Sequence, residues 1–391
     1  MRNFRLILPG QVVESGNVLI ENGRITQIFQ STSGAISDSD IDGTGLTLFP
    51  GFIDIHCHGA VGIDTMEGGI ADFKNVSQFL ATQGVTGWLP TLVPSEDSNY
   101  AAPIDAIEKL MAEQQGDETI PKGARVLGVH YEGPFINEFQ CGALHAAYFK
   151  AFQTAADLDV LPVPHQPDAV RLMTVAPEIE GGVSLIEELV KRGWIVSIGH
   201  TRAELAELER AFEAGAHHMT HFMNAMPPFH HRTPGPVGWG LTKDEVTFDV
   251  IADGIHVDPL VLKLLVRAKG IKGMTLISDS IAAAGEGDGN YQIWGETISV
   301  KDGRTSNVHG TIAGSVITML DAVRMIRTLG VSEIEISKMA STNPARLLGL
   351  DHELGSIEVG KSADLVAVDQ QGSVRLTMVE GRSLFDQTFA I

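Results

Sequence analysis

Polar residues of a few types recur at the ends of apolar runs: His56, Thr91, Glu132, His200, His221 and Asp279 each close a stretch that reads as a β-strand. The predicted strands are 52–56, 86–91, 126–132, 170–176, 195–200, 216–221, 246–251 and 274–279. Helical patterns lie between most of them, such as 182–192, 202–213 and 259–268. Eight strands in a β/α rhythm over roughly 300 residues are the pattern of an α/β TIM (β/α)8 barrel. In such a barrel the C-terminal strand ends carry the chemistry, so residues far apart in sequence converge on one cavity. A doubly wound open sheet is the rival arrangement. No GxGxxG follows the first strand, which weakens its dinucleotide-binding form.

The two chain ends have a different texture. VLIENGRITQIF alternates around an Asn22-Gly23 turn, a strong hairpin signal, and SIEVGKSADLVAVD and SVRLTMVEGRSLF alternate in the same way. This predicts a small β-sandwich domain from 1–49 and 351–391, with the barrel, 50–350, inserted between its halves. The formal net charge of −21 repels nucleic acids and anionic membranes, so neither partner is expected. An anionic substrate would need a local cluster of positive charge. No apolar run approaches the ~18 residues of a membrane span. The N-terminus carries no signal-peptide pattern. Two cysteines, Cys57 and Cys141, make no disulfide framework and suit a reducing cytosol, so a cytoplasmic protein is expected.

FIDIHCHG carries His56 and His58. Residues i and i+2 of a strand share a side, so both imidazoles can face one metal. On its own an HxH pair serves equally well as surface or hydrogen-bonded histidines; its place at the end of the first barrel strand favours ligands. Cys57 points the other way and reads as packing. Glu132, followed by Gly-Pro, is exposed by an abrupt strand end and, beside histidines, is a candidate bridging ligand; His130 would support it. Two apolar strands ending in His within a short span are hard to explain as core, so His200 and His221 read as ligands and His217 and His218 as structural. A strand-end Asp is often a helix cap. Here Asp279 reads instead as the carboxylate that takes and returns the proton of an activated water. PPFHHRTPGP concentrates His230, His231 and Arg232, and Arg suits bidentate phosphate binding. There is no GxSxG elbow, no P-loop and no CxxC. GEGDGN at 285–290 reads as a flexible lid or loop.

As a set, PGFIDIHCHG, HYEGPF, SIGHT, THFMNAMPPFHHRTPG, ADGIHV, SDS and GTIAGS resemble, in order, the N-acetylglucosamine-6-phosphate deacetylase family of the amidohydrolase superfamily. The resemblance runs from Pro50 to the SADLVAVD tail. It implies a metal-bearing barrel in which Glu132, His200 and His221 bind the principal metal and His56 and His58, with Glu132 and Asp279, a second. One or two divalent metals per subunit follow, zinc first, with iron, manganese or cobalt as alternatives. Glu132 takes the place of the superfamily's carbamylated lysine. The resemblance further implies that Asp279 and His256 are catalytic, and that Asn224, Ala225, His231 and His256 bind the sugar phosphate. Ile312, Ala313 and Gly314 would line the pocket. Arg232 would reach the active site of the neighbouring subunit, which makes a homodimer. One stretch departs from the family: KGAH is here CGALH, so Ala143 aligns, Leu144 falls where the His belongs, and His145 comes one place late. A relaxed hexosamine preference, including the galacto epimer, is then expected. The reaction implied is removal of the N-acetyl group of a 6-phosphorylated N-acetylhexosamine. The alternatives are another amidohydrolase, such as an N-acyl-amino-acid deacylase or cyclic-amide hydrolase, and a non-catalytic scaffold, which should have lost ligands.

Overall fold

The computed structural model describes residues 1–30, 40–116 and 123–386; the portions of the expected small domain at 31–39 and 387–391 lie outside them. Eight parallel strands form the barrel: β1 (Phe52–Cys57), β2 (Val85–Leu92), β3 (Gly128–Glu132), β4 (Val170–Val175), β5 (Ile195–Ile198), β6 (His218–Met219), β7 (Thr247–Ile251) and β8 (Met274–Ile277). They pair in chain order. The ring is closed between its ends by Asp279 N donating to His56 O at 2.9 Å and His58 N to Ser280 O at 2.7 Å. The predicted strand 126–132 is interrupted at Leu127, because Gly128 (φ +150°) lies so close to β4 that a Cβ would sit 2.0 Å from Val170 O.

The helices begin where the sequence provides caps. Pro259–Lys269 starts with Pro at its first turn and Asp258 accepting from Leu260 N at 2.8 Å. Met319–Thr328 starts with a reciprocal box, Asp321 N to Thr318 Oγ1 at 3.3 Å and Thr318 N to Asp321 Oδ2 at 3.0 Å. Strands β1, β2, β4, β7 and β8 supply Ile53, Ile55, Leu89, Leu172, Ile251 and Ile277 to one buried cluster, joined by Ala345, Leu348 and Leu354.

Both chain ends build one continuous seven-stranded sheet, antiparallel but for the pair Phe4–Leu8 with Thr47–Pro50. A single hydrogen-bonded path runs from one end of this small domain to the other, around a core of its own. Alternation does the sorting: Leu6, Leu48, Leu365 and Ala367 enter the sheet's own core, whereas Ile7, Phe49, Val366 and Val368 join the barrel's. Arg125 bridges the two units through Asp364 (2.6 Å) and Glu380 (3.0 Å). Among the described residues no helix is long and apolar enough to cross a membrane. The expected loop at 285–290 leads instead into a three-stranded sheet, Gly289–Ile293, Glu296–Lys301 and Arg304–Ser306. Its first turn is Trp294-Gly295, both at positive φ (53° and 76°).

Candidate metal centre and active site

The six residues predicted as ligands meet at the C-terminal mouth of the barrel, all buried. Their donor atoms fall into two trios, Glu132–His200–His221 and His56–His58–Asp279, each within 4.8 Å. Glu132 Oε1 lies 2.9 Å from His200 Nε2 and 3.0 Å from His221 Nε2, and these two nitrogens are 3.0 Å apart. In the other trio His56 Nε2 and His58 Nε2 are 3.0 Å apart, and Asp279 Oδ1 is 3.4 Å and 3.2 Å from them. Nitrogens that close, aimed at one point, suit two ligands on one ion at ~2.0–2.1 Å. Glu132 also stands 3.3 Å from His58 and 3.7 Å from His56, so it joins the trios.

Three of the six, His200 (φ +46°), His221 (+30°) and Asp279 (+50°), lie just past the last strand residue with left-handed backbones. Such strain in non-glycine residues gathers at functional sites, and here it turns the side chains inward from the strand ends. It also explains why the predicted strands 195–200, 216–221 and 274–279 stop short of their final residues.

Outward-facing nitrogens are partly anchored. His58 Nδ1 is 3.2 Å from Thr91 O and His200 Nδ1 2.7 Å from Gln140 O, which fixes Nε2 as the free donor. His56 and His221 have no partner on Nδ1. The backbone N–H of His221 donates to Asp249, which also contacts His218 Nε2 at 3.1 Å; His218 is structural, as expected. Under the centre, hydroxyls link Ser197, Thr220 and Thr174 (2.6 and 2.7 Å) to His130 (2.8 Å) and on to Thr91 (3.3 Å). His130, edge-on to the His56 ring at 4.6 Å, is kept neutral by burial, which lowers its pKa well below the usual value. Burial opposes ionisation of Glu132 and Asp279. The charge of His56, with hydrogen bonds from His200 and His221 to Glu132 and from His58 to Asp279, holds both below the ordinary carboxylate range. Conversely, burial opposes protonation of His58, yet Asp279 and Glu132 raise it to about 10. Two buried carboxylates thus require positive charge beside them, a condition divalent cations meet.

A cavity of about 270 Å³ opens above these ligands, room for a molecule the size of a monosaccharide. Ala143, Leu144, Asn224, Ala225, His256, Ile312 and Gly314 line it. Ala313 does not; it is fully buried in a cluster with Ile281 and Ile298. Asn224 Nδ2 is buried with no partner, a donor left for a ligand. His231 and Arg232 are exposed and absent from the lining; Arg232 Nη1 contacts His231 Nε2 at 2.9 Å. Among the described residues no Lys or Arg lines the cavity. His145 turns away from the cavity, its Nε2 2.7 Å from Trp294 O.

Two contributors escaped the sequence reading. Trp294, from the turn of the added sheet, lines the cavity and stands edge-on to His58 at 5.2 Å. Asp253 Oδ2 lies 2.6 Å from His256 Nδ1 while its Oδ1 accepts from His256 N at 2.8 Å. Burial works against Asp253, but His256 holds its pKa below the usual value. The i, i+3 spacing of ADGIH was the available signal. With Nδ1 engaged, Nε2 is the nitrogen left for a ligand. Asp253→Asn should therefore lower kcat, by less than the ~10²–10³ that removal of an oxyanion donor costs, with KM, metal content and melting temperature unchanged. An unchanged kcat would show that His256 needs no such partner.

A parallel barrel with imidazole and carboxylate ligands at its C-terminal strand ends, and a small sheet from both chain ends, defines a metal-dependent amide hydrolase. The chain belongs to the amidohydrolase family, whose profile matches residues 47–384. It stands with that family's N-acetylglucosamine-6-phosphate deacetylases: the Bacillus subtilis (strain 168) enzyme is 36% identical over 98% of this chain and 96% of its own. An N-acetylgalactosamine-6-phosphate deacetylase of Escherichia coli O157:H7 is also 36% identical, over 98% of each chain. The crystal structure of N-acetylglucosamine-6-phosphate deacetylase from Thermotoga maritima superposes with a TM-score of 0.87 at 33% identity, over 99% of each chain.

Proposed function

We propose that the protein hydrolyses N-acetylglucosamine 6-phosphate to glucosamine 6-phosphate and acetate, in amino-sugar catabolism in the cytoplasm, as a homodimer. The observation that carries the reading is the joining of two ligand trios at Glu132 with a sugar-sized cavity holding Asn224, Ala225 and His256. Glu132, His200 and His221 would hold the principal metal, and His56, His58 and Asp279 a second. Zinc is the first choice and iron, manganese or cobalt the alternatives. When bound, such ions polarise the carbonyl and acidify water. Asp279 takes the attacking water's proton and delivers it to the leaving amine. His256, oriented by Asp253, donates from Nε2 to the acetyl oxygen as it gains charge. Asn224 offers its unpartnered Nδ2 to the sugar. The barrel, 50–350, carries all of these groups, and 1–49 with 351–391 form the flanking domain.

The phosphate is the discriminating feature. A cavity with two carboxylates and, among the described residues, no Lys or Arg, on a chain of net charge −21, needs a cation from elsewhere to hold a phosphate. Exposed Arg232, beside His231, supplies it to the cavity of a second copy. Arg232→Ala should then weaken the phosphorylated substrate by about 2–5 kcal/mol in kcat/KM and leave unphosphorylated N-acetylglucosamine nearly unaffected. Mixing it with a variant lacking metal ligands should restore some activity in heterodimers. Equal loss on both substrates would refute the phosphate role.

A second reading, use of the galacto epimer, is favoured by Leu144 replacing a histidine and by the equally similar galactosamine relative. Comparing the two epimers directly decides it.

A further inference from the structure

A second cavity, of 750 Å³, adjoins the catalytic one; Leu144 and Trp294 line both. Its walls come from segments that follow β1, β2 and β3: Met66, Val93 to Asn99, and Leu144 to Tyr148. Asn224, Ala225 and His256 follow β6 and β7, on the opposite side of the eight-stranded ring. The metal-ligand cluster lies between, with Trp294 edge-on to His58. A substrate whose sugar rests on Asn224 and Ala225, and whose amide carbon lies over the ligands, therefore directs its acyl carbon chain toward Leu144 and Trp294.

The chemistry of the second cavity is graded. Met66, Val93, Leu144 and Trp294 belong to one apolar cluster at its inner end. Ser95, Ser98 and Asn99 give it polar groups farther along the β2 segment, and Glu67 and His145 add a carboxylate and an imidazole to its walls. Among the described residues no Lys or Arg lines it and Glu67 does, so it does not suit the phosphate. An apolar chain of a few carbons matches the inner end, where Met66, Val93, Leu144 and Trp294 meet.

We propose that this cavity receives the tail of N-acylhexosamine 6-phosphates with acyl groups longer than acetyl, and that the protein hydrolyses N-propionyl and N-butyryl substrates as well. The reaction is the same amide hydrolysis. The C–N bond breaks, water's oxygen joins the acyl carbon, the amine takes the proton, and the short-chain carboxylate leaves in place of acetate. The inference rests on the deacetylase reading for the placement of the sugar.

The test uses the zinc-loaded protein with the N-acetyl, N-propionyl and N-butyryl derivatives of glucosamine 6-phosphate. The butyryl substrate should be turned over with kcat/KM within about tenfold of the acetyl one. Leu144→Ala, which cuts back the wall the two cavities share, should raise butyryl relative to acetyl by about tenfold. Ala147→Trp, filling the second cavity from its exposed rim, should lower butyryl by about tenfold and leave acetyl unchanged. Acetyl turnover without butyryl turnover, in wild type and in Leu144→Ala, overturns the acyl-tail subsite alone. Parallel loss of acetyl and butyryl turnover in Ala147→Trp does the same. Inactivity on all three substrates overturns the deacetylase reading itself.

Discussion

Replacing Glu132 by Gln should strip the principal cation position and reduce turnover by at least about a hundredfold. Glu132 faces all four histidines, with Oε1 at 2.9 Å from His200, 3.0 Å from His221 and 3.7 Å from His56, and Oε2 at 3.3 Å from His58. Gln keeps the shape and one acceptor oxygen but removes the charge that binds a divalent ion. Metal analysis and kcat should therefore fall together. His56→Gln is the matched control: it lies outside the Glu132–His200–His221 trio, so that variant should lose no more than one ion per subunit. A fully metallated, active Glu132→Gln protein would contradict the assignment. Loss of every ion from His56→Gln would reverse the order of the two positions.

Asp279→Asn should lower kcat by ~10²–10⁴ and change KM little, because the variant loses a proton acceptor and not a binding contact. The substitution is mild for the backbone. Asn tolerates the left-handed region, so the φ of +50° and the Asp279 N to His56 O bond can persist. Asp279 is held below the ordinary carboxylate range despite burial, by His56 and His58, so it is ionised and able to accept a proton at neutral pH. Metal content measured on the same sample separates the proton-transfer role from a ligand role. A kcat close to wild type would mean that another group moves the proton.

The six ligand candidates were legible because strand periodicity and strand-end position are local properties that five short motifs display. What was not legible depended on three-dimensional neighbours. Nothing in IVSIGH, MTHFM or LISDS signals that His200, His221 and Asp279 leave the strand in left-handed conformations; that follows from closing the ring. Trp294 stands in a hairpin turn where a positive φ favours Gly or Asn, so its sequence pattern argued against the turn that delivers it to His58. Ala313 was carried along with its neighbours, but its side chain packs with Ile281 and Ile298 while Ile312 and Gly314 line the cavity. Arg232 and His231 read correctly as a basic cluster, while their absence from the chain's own cavity could be learned only from the fold.

The central claim is tested most directly by acetate release from N-acetylglucosamine 6-phosphate, run beside the unphosphorylated sugar and the galacto epimer with the metal content of the same preparation known. Acetate release should depend on the metal and strongly prefer phosphorylated sugars. Equal turnover with and without the phosphate, or release that survives complete removal of the metal, would contradict it.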